Sequence, residues 1–239
     1  MKIGAVITAA GESIRMGGVD KVFASLCGQS VLERVITTFQ KCARIDQIVV
    51  VLSERNLERG QRMVALDDWR KVSDVCVGGS RRQDSVLAGI KRLDHCDWVV
   101  IHDGARPLVA DELIERGLDA AMETGAAVAA VPVTDTICMR EPMSNVAGEG
   151  YFVQQTLPRS RLWAVQTPGV FRMDILKKAY RQATGEFTDD SSLVEQLGYR
   201  VRLYMGSYDN IKITTPDDLA IAEILWGKRV LPILTNAGV

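Results

Sequence analysis

The chain has 239 residues, 47% hydrophobic and 25% charged, with 29 lysines and arginines against 30 acids and a formal net charge of −1. That is enough length and apolar content to bury a large core, and the balanced charge excludes a surface coated in cation for bulk nucleic-acid or membrane binding. Two histidines (His95, His102) and five cysteines (Cys27, Cys42, Cys76, Cys96, Cys138) lack CxxC or HxxxH spacing, which argues against a zinc site or disulfide framework and for reduced, mostly buried thiols.

Ile3 to Thr8 is a short β-branched run of the kind a strand buried on both faces needs. Its flanks do not suit a signal peptide, and no run approaches the ~18 apolar residues of a membrane span, so a cytoplasmic chain without membrane or nucleic-acid partners is expected. No regular pattern follows until Ser30-Val31-Leu32-Glu33, a capping box ahead of a helix carrying Val35, Ile36 and Phe39. Ile48 to Leu52 reads as a second buried strand, followed by a polar, weakly helical stretch. Val72 to Val77 is a third strand closed by Gly78-Gly79, and Ser80-Arg81-Arg82-Gln83 has capping-box form before a helix with Val86, Leu87 and Ile90.

Trp98 to Ile101 is a fourth strand, ending in His102-Asp103-Gly104-Ala105-Arg106-Pro107. Asp111 is placed to cap the next helix, and Ala126 to Val131 is another strand. Strands alternating with helices imply parallel βαβ units in an open sheet covered on both faces. The rhythm breaks between Thr134 and Gln166, where Met139 to Gly150 reads as loop and Tyr151 to Thr156 as an extended arm. Long excursions of this kind are usually functional or interaction elements. A helix near Asp174 to Ala183, another opened by Thr188-Asp189-Asp190, a strand over Val201 to Met205 and a helix from Pro216 to about Trp226 complete the chain.

The glycine- and charge-rich segments 9–21, 78–85 and 102–107 all follow strands, and ligands of parallel sheets bind at the carboxyl ends of strands. The first contains small residues, Arg15 and Lys21, and suits an anion, yet it matches neither the P-loop nor the dinucleotide GxGxxG pattern. A glycine-rich surface turn is the competing reading. The second suits a phosphate or a base edge, or else a tight turn with solvated arginines. In the third, Asp103 stands where a phosphate-bound metal could sit, and His102 is expected to be structural. Asp209-Asn210-Ile211-Lys212 again joins an acid with a lysine. Four such loops in one α/β chain favour a shared anion site over four separate surface turns.

The segments AAGESIRMGGVDK, GGSRRQDSVLAGI, HDGARP, PVTDT, QTPGVF, FTDDSSLVE and DNIKITTPDDLAIAE, in this order, resemble the 2-C-methyl-D-erythritol 4-phosphate cytidylyltransferases, and the likeness spans roughly Lys2 to Trp226. HDGARP together with DNIKITTPDDL is the specific part. The resemblance implies an α/β, Rossmann-like three-layer α/β/α nucleotidyltransferase fold with a mostly parallel sheet, one domain over 1–239, and a dimerisation arm at about 139–160. It implies transfer of CMP from CTP to methylerythritol phosphate with release of pyrophosphate, a requirement for Mg²⁺, and a homodimer.

Carried over by motif, Ala9, Ala10, Gly11, Arg15 and Lys21 would hold the triphosphate. Gly79, Ser80 and Ser85 would face cytosine and ribose, and Asp103 would lie beside ribose and metal with Arg106 close by. Thr136, Arg159, Thr167, Thr188 and Lys212 would surround the acceptor, Thr136 and Arg159 serving the neighbouring subunit's site. Arg15, Lys21 and Lys212 are the expected catalytic cations, and Asp103 and Asp209 the acids nearest the metal. Three positions depart from the family pattern: Asp20 replaces a usual proline, Ser80 an acid that often contacts the base, and Pro158 an acid in the arm.

This chemistry needs no histidine base, because the attacking phosphate monoester is largely dianionic near neutral pH. The obstacle is repulsion between two polyanions, which positioned cations and a metal offset. A ribitol-5-phosphate cytidylyltransferase is the nearest alternative. A molybdenum-cofactor nucleotidyltransferase leaves segments 100–107 and 209–218 unexplained, and a nicotinamide oxidoreductase would need the missing GxGxxG. A catalytically dead nucleotide binder would be expected to have lost Arg15, Lys21 or Lys212, all of which are present.

Overall fold

The structure is a computed structural model that describes residues 1–11, 16, 20–142, 151–182, 184–185 and 187–230. Strand β1 (Ile3–Ala9) alternates its side chains between two apolar layers, with Ile3, Ala5, Ile7 and Ala9 on one face and Val6 on the other. Strands β2 (Ser25–Leu26) and β3 (Gln29–Ser30) form a small hairpin that the sequence pattern does not announce. Its two-residue turn, Cys27-Gly28, has positive φ at both positions (49° and 87°), the backbone that matches hairpin twist. Helix α1 (Val31–Lys41) opens with the expected box: Glu33 N–H donates to Ser30 Oγ at 3.2 Å, and Ser30 N–H donates to the Glu33 carboxylate.

Strand β4 (Gln47–Leu52) is wholly buried, and the polar stretch after it is a full 13-residue helix, α2 (Glu54–Leu66). Next come β5 (Val72–Val77), α3 (Arg82–Ile90), β6 (Trp98–Asp103), α4 (Asp111–Thr124) and β7 (Ala126–Pro132). Two cap expectations need correction. The N-cap of α3 is Arg81, not Ser80, because Asp84 accepts from the Arg81 backbone at 3.3 Å and grips its guanidinium at 2.8 and 2.9 Å. The N-cap of α4 is Ala110, and Asp111 is the first helical residue.

The segment expected to be loop from Met139 begins as a strand. Strands β8 (Cys138–Arg140) and β9 (Val153–Thr156) pair antiparallel, Cys138 opposite Thr156, as a separate two-stranded ribbon; residues 143–150 of the expected loop lie outside the described residues. A larger departure follows, because β10 (Trp163–Arg172) is the longest strand, and the hydrophobic rhythm missed it. Only Gln166 to Phe171 is buried, Pro168 and Gly169 interrupt that run, and neither strand nor helix period is sustained. Helices α5 (Met173–Gln182) and α6 (Asp190–Gln196), strand β11 (Arg202–Met205) and α7 (Pro216–Val230) complete the fold, α7 running past the expected end at Trp226.

The seven-stranded sheet has the order β11-β7-β10-β6-β1-β4-β5, parallel throughout except for β10. One apolar layer joins α1, α2 and α4 to the sheet, and the other joins α3, α5 and α6, giving the expected three layers. The chain leaves β1 towards β4 and β5 and then returns to β6 on the other side of β1. The strand order therefore reverses between β1 and β6, where a crevice opens at the carboxyl ends. In that register Thr8 lies beside Asp103 and Ile7 beside His102.

Among the described residues all five cysteines are free, with Cys42, Cys76 and Cys96 buried and Cys27 and Cys138 exposed. No helix among them is long and apolar enough to cross a membrane.

Candidate active site

The crevice holds a cavity of about 680 Å³ lined by Ala9 at the end of β1, Ala10 and Gly11 after it, Gly78, Gly79 and Ser80 after β5, and Asp103 at the end of β6. Close packing requires the glycines: a Cβ at Gly78 would lie 2.5 Å from Ser85 Oγ and 2.6 Å from Ala10 Cβ, and one at Gly79 would lie 2.3 Å from Asp84 Cβ. Ser85 is buried beneath this turn, with its hydroxyl near the carbonyls of Gly79 (3.4 Å) and Arg81 (3.3 Å). Lys21 enters from the side, its Nζ 4.0 Å from the point a Gly11 Cβ would occupy. Arg15 lies outside the described residues.

A second cavity of about 280 Å³ adjoins the first and is lined by Arg106, Gln166, Thr167, Thr188 and Asp189. Arg82, Asp103 and Lys212 line both cavities and so form their common wall. Asp103 is the focus of that wall: Lys212 Nζ stands 2.8 Å from its carboxylate, Arg82 Nε 3.5 Å and Arg106 Nε 3.7 Å. Burial alone would raise the Asp103 pKa, but the three cations outweigh it and hold the carboxyl well below the usual carboxylate range. Arg82 shows the converse balance. Burial disfavours its charge, and Asp190 (2.7 Å) with Asp103 restores it, so its pKa lies above the ordinary value. Tyr180 donates to the other Asp190 oxygen at 2.5 Å.

His102 is fully buried and neutral. Its Nε2 lies 3.2 Å from the Arg106 carbonyl, which can only accept, so Nε2 carries the proton. Its Nδ1 therefore accepts from Thr167 Oγ1 (3.0 Å), and that oxygen in turn accepts from the Asp103 backbone N–H (3.0 Å). Burial pushes the imidazole pKa down to about 4, with Asp103 opposing the shift. The chain of bonds joins β6, β10 and the Arg106 loop. It occurs where β10 breaks its pairing between Val165 and Gly169, and it uses the one proton of the Thr167 hydroxyl. Asn210, also fully buried, donates to the Thr167 carbonyl at 2.7 Å, and its own carbonyl accepts from Arg106 at 2.7 Å, which brings the Lys212 loop to the same wall.

Of the residues singled out in the sequence, Ala9, Ala10, Gly11, Lys21, Gly79, Ser80, Ser85, Asp103 and Lys212 meet at the larger cavity. Arg106, grouped with the nucleotide residues, faces the smaller cavity with Thr167 and Thr188. Three are not brought there. Thr136 and Arg159 stand exposed at the base of the arm, the arginine donating to the Thr134 carbonyl at 2.6 Å. Asp209 is exposed in the turn before Asn210, near Arg229 rather than Asp103, and lines neither cavity.

Arg82 and Asp190 were missed as site residues. The available signals were an arginine at a helix start after Gly-Gly and a doubled aspartate, one caging a charge and the other capping α6 through the Ser192 N–H.

The profile of the family described as IspD, 2-C-methyl-D-erythritol 4-phosphate cytidylyltransferase, matches residues 3–228. The chain belongs to this family. It is 50% identical over 227 residues to the 2-C-methyl-D-erythritol 4-phosphate cytidylyltransferase of Dehalococcoides mccartyi strain 195, covering 95% of this chain and 97% of that one. It is 44% identical over 234 residues to the enzyme of that name from Caldanaerobacter subterraneus subsp. tengcongensis, covering 95% and 100%. Among solved structures, 4-diphosphocytidyl-2C-methyl-D-erythritol synthase from Anaerococcus prevotii superposes with a TM-score of 0.81 at 27% identity over 95% of this chain and 96% of that one. The cytidylyltransferase from Thermus thermophilus superposes at 0.71 with 32% identity over 94% and 98%. Family membership and these superpositions make the α/β sheet that of a cytidylyltransferase.

Proposed function

We propose that the chain is a CTP-dependent cytidylyltransferase that transfers CMP to 2-C-methyl-D-erythritol 4-phosphate, giving 4-diphosphocytidyl-2-C-methyl-D-erythritol and pyrophosphate. The observation that carries this reading is the common wall: two cavities, one floored by glycine turns, meet at a buried carboxylate ringed by Lys212, Arg82 and Arg106. CTP fits the larger cavity, its base against the Gly79-Ser80-Ser85 turn and its phosphates towards Gly11, Lys21 and the segment that carries Arg15. The acceptor phosphate fits the smaller one, against Arg106, Thr188 and Lys212.

An oxygen of the acceptor phosphate attacks the α-phosphorus in line, the bond to the β-phosphate bridging oxygen breaks, and pyrophosphate leaves with that electron pair. No proton must be removed from a dianionic nucleophile. Lys21 and Arg15 stabilise charge on the α-phosphoryl oxygens and the leaving group, and Lys212 holds the acceptor. Thr167 has spent its hydroxyl proton on His102, so it serves as wall and as support for Asp103.

Among the described residues no cluster of three or more His, Cys, Asp or Glu side chains could bind Mg²⁺ alone, so Asp103, a single carboxylate lining both cavities, would hold the ion together with substrate phosphates. When bound, the ion would neutralise phosphate charge. Asp209 would act at most through water.

The exposed arm, with Tyr151, Phe152 and Val153 bare to solvent, supports a homodimer in which Thr136 and Arg159 complete the partner's site, each chain forming one domain in the cytoplasm. Pyrophosphate release with CTP and a panel of polyol phosphates tests the reading. Turnover with methylerythritol phosphate is expected, and activity only with ribitol 5-phosphate, or only with another nucleotide, would overturn it.

A further inference from the structure

Lys21 is the second residue of a tight turn in which Phe23 N–H donates to the Asp20 carbonyl at 3.0 Å. One oxygen of the Asp20 carboxylate accepts from the Val22 N–H (3.3 Å), closing an Asx-type turn around the lysine. The other oxygen leaves the turn altogether. It accepts from the Asn56 side-chain amide and from Arg55 Nη2 at 3.2 Å, both in the first turn of α2.

Asn56 is buried, on a helix face where an apolar side chain would otherwise pack, and a buried amide needs a polar partner. Asp20 supplies it. One helical turn further on, the Arg59 guanidinium covers the Phe23 ring at 4.1 Å, so the end of the lysine turn is held by the same helix. The start of α2 is itself part of the site, since Ser53 and Glu54 line the larger cavity together with Lys21. The Asp20 carboxylate thus joins two walls of that cavity through a link that is mostly shielded from water, its own side chain 13% exposed.

We propose that Asp20 is a positioning residue for Lys21: its carboxylate, tied to Asn56 and Arg55, holds the turn that aims the lysine into the nucleotide cavity. A proline before the lysine restrains a turn by fixing φ in the ring; here side-chain hydrogen bonds to α2 supply the restraint instead. The chain accepts a negative charge next to a polyanion site because Arg55 neutralises it and the carboxylate points into α2. Misplacing a transition-state cation by about 1 Å loses rate on the order of 100-fold, so a link of this kind is worth keeping.

This inference rests on the reading that Lys21 serves the triphosphate, and a set of variants separates the two. Asp20→Ala, Asn56→Ala and Lys21→Ala are assayed singly and in pairs by pyrophosphate release, with melting temperature and circular dichroism confirming that each is folded. Lys21→Ala is expected to lose ~100-fold or more in kcat. Asp20→Ala is expected to lose ~10- to 100-fold. Asn56→Ala should lose a comparable amount, and the pair with Asp20→Ala should lose no more than either alone. In the Lys21→Ala background, Asp20→Ala should bring no further loss, whereas a residue acting only on stability would lower both backgrounds alike. Should Asp20→Ala fold poorly, Arg55→Ala, which alters an exposed side chain, is expected to show a smaller loss with the same dependence on Lys21. A crippled Lys21→Ala beside an Asp20→Ala of wild-type kcat, or a further loss in the Lys21→Ala background, would overturn the positioning role. Wild-type turnover by Lys21→Ala would instead remove the lysine's role and the inference with it.

Discussion

At the scale of single residues, charge in this protein is controlled by what lies within about 4 Å rather than by the near-zero total. Asp103 stays ionised against its burial because three cations face it, and Arg82 stays charged because two aspartates do. At His102 burial outweighs the opposing pull of Asp103, so the ring remains neutral with its proton on Nε2 and holds Thr167 and Arg106 together. Its pKa falls from 6.5 to about 4, mainly through burial. Between those values the unfolded chain binds a proton that the folded chain refuses, so stability declines as pH falls through that window, by about 3 kcal/mol in all. Urea unfolding of wild type and His102→Gln checks this. The stability gap between them should narrow as pH drops from about 7 to about 4.5, and a constant gap would contradict the assignment.

At the scale of elements, the site depends on how closely α3 lies on the sheet. Gly89 permits that approach: a Cβ there would meet Val6 Cγ1 at 2.4 Å and Val51 Cγ2 at 3.0 Å. Overpacking costs about 1–3 kcal/mol, against a helix-propensity gain of up to about 1 kcal/mol for alanine over glycine. Gly89→Ala should therefore unfold at lower urea, and because α3 carries the Gly79-Ser80 turn at its start, the KM for CTP should rise. A variant as stable as wild type would show that the helix can shift freely. Strand β10 is the other deciding element. Its antiparallel run between β6 and β7, with the break at Gln166 to Pro168, delivers Thr167 to Asp103 and shapes the smaller cavity.

At the scale of the whole molecule, the arm is the part that this chain's own packing does not explain. Tyr151, Phe152 and Val153 are 80%, 57% and 61% exposed, and Thr136 and Arg159 at its base reach neither cavity. An exchange of arms between two copies would cover the apolar residues and put both polar ones to use. Mixing inactive Lys21→Ala chains with Arg159→Ala chains tests this directly. If arms are exchanged, a mixed dimer regains one site with both residues intact, and random mixing should recover about a quarter of wild-type activity. If each chain completes its own site, no activity returns.

The sequence by itself determined the buried strands, the helices with clear caps and the glycine-rich ends that follow strands, because these follow from local periodicity and turn chemistry. It also carried the family, through motifs spaced along nearly the whole chain. Tertiary structure alone decided the rest. Strand β10 has no clean period, since its first three residues and its last are exposed and Pro168 and Gly169 interrupt it, so its place inside the sheet between β7 and β6 depends on its neighbours. Arg82 and Asp190 lie 108 positions apart, and nothing local to either indicates a shared buried ion pair. Arg106 belongs to the nucleotide loop in sequence yet faces the smaller cavity in space, because Asn210 draws it there. Asp20 looks like a substitution that loosens the lysine turn, and becomes a fixed point once α2 folds against it. Patterns within a few residues predict elements, whereas partners separated by tens of residues exist only after the elements have packed.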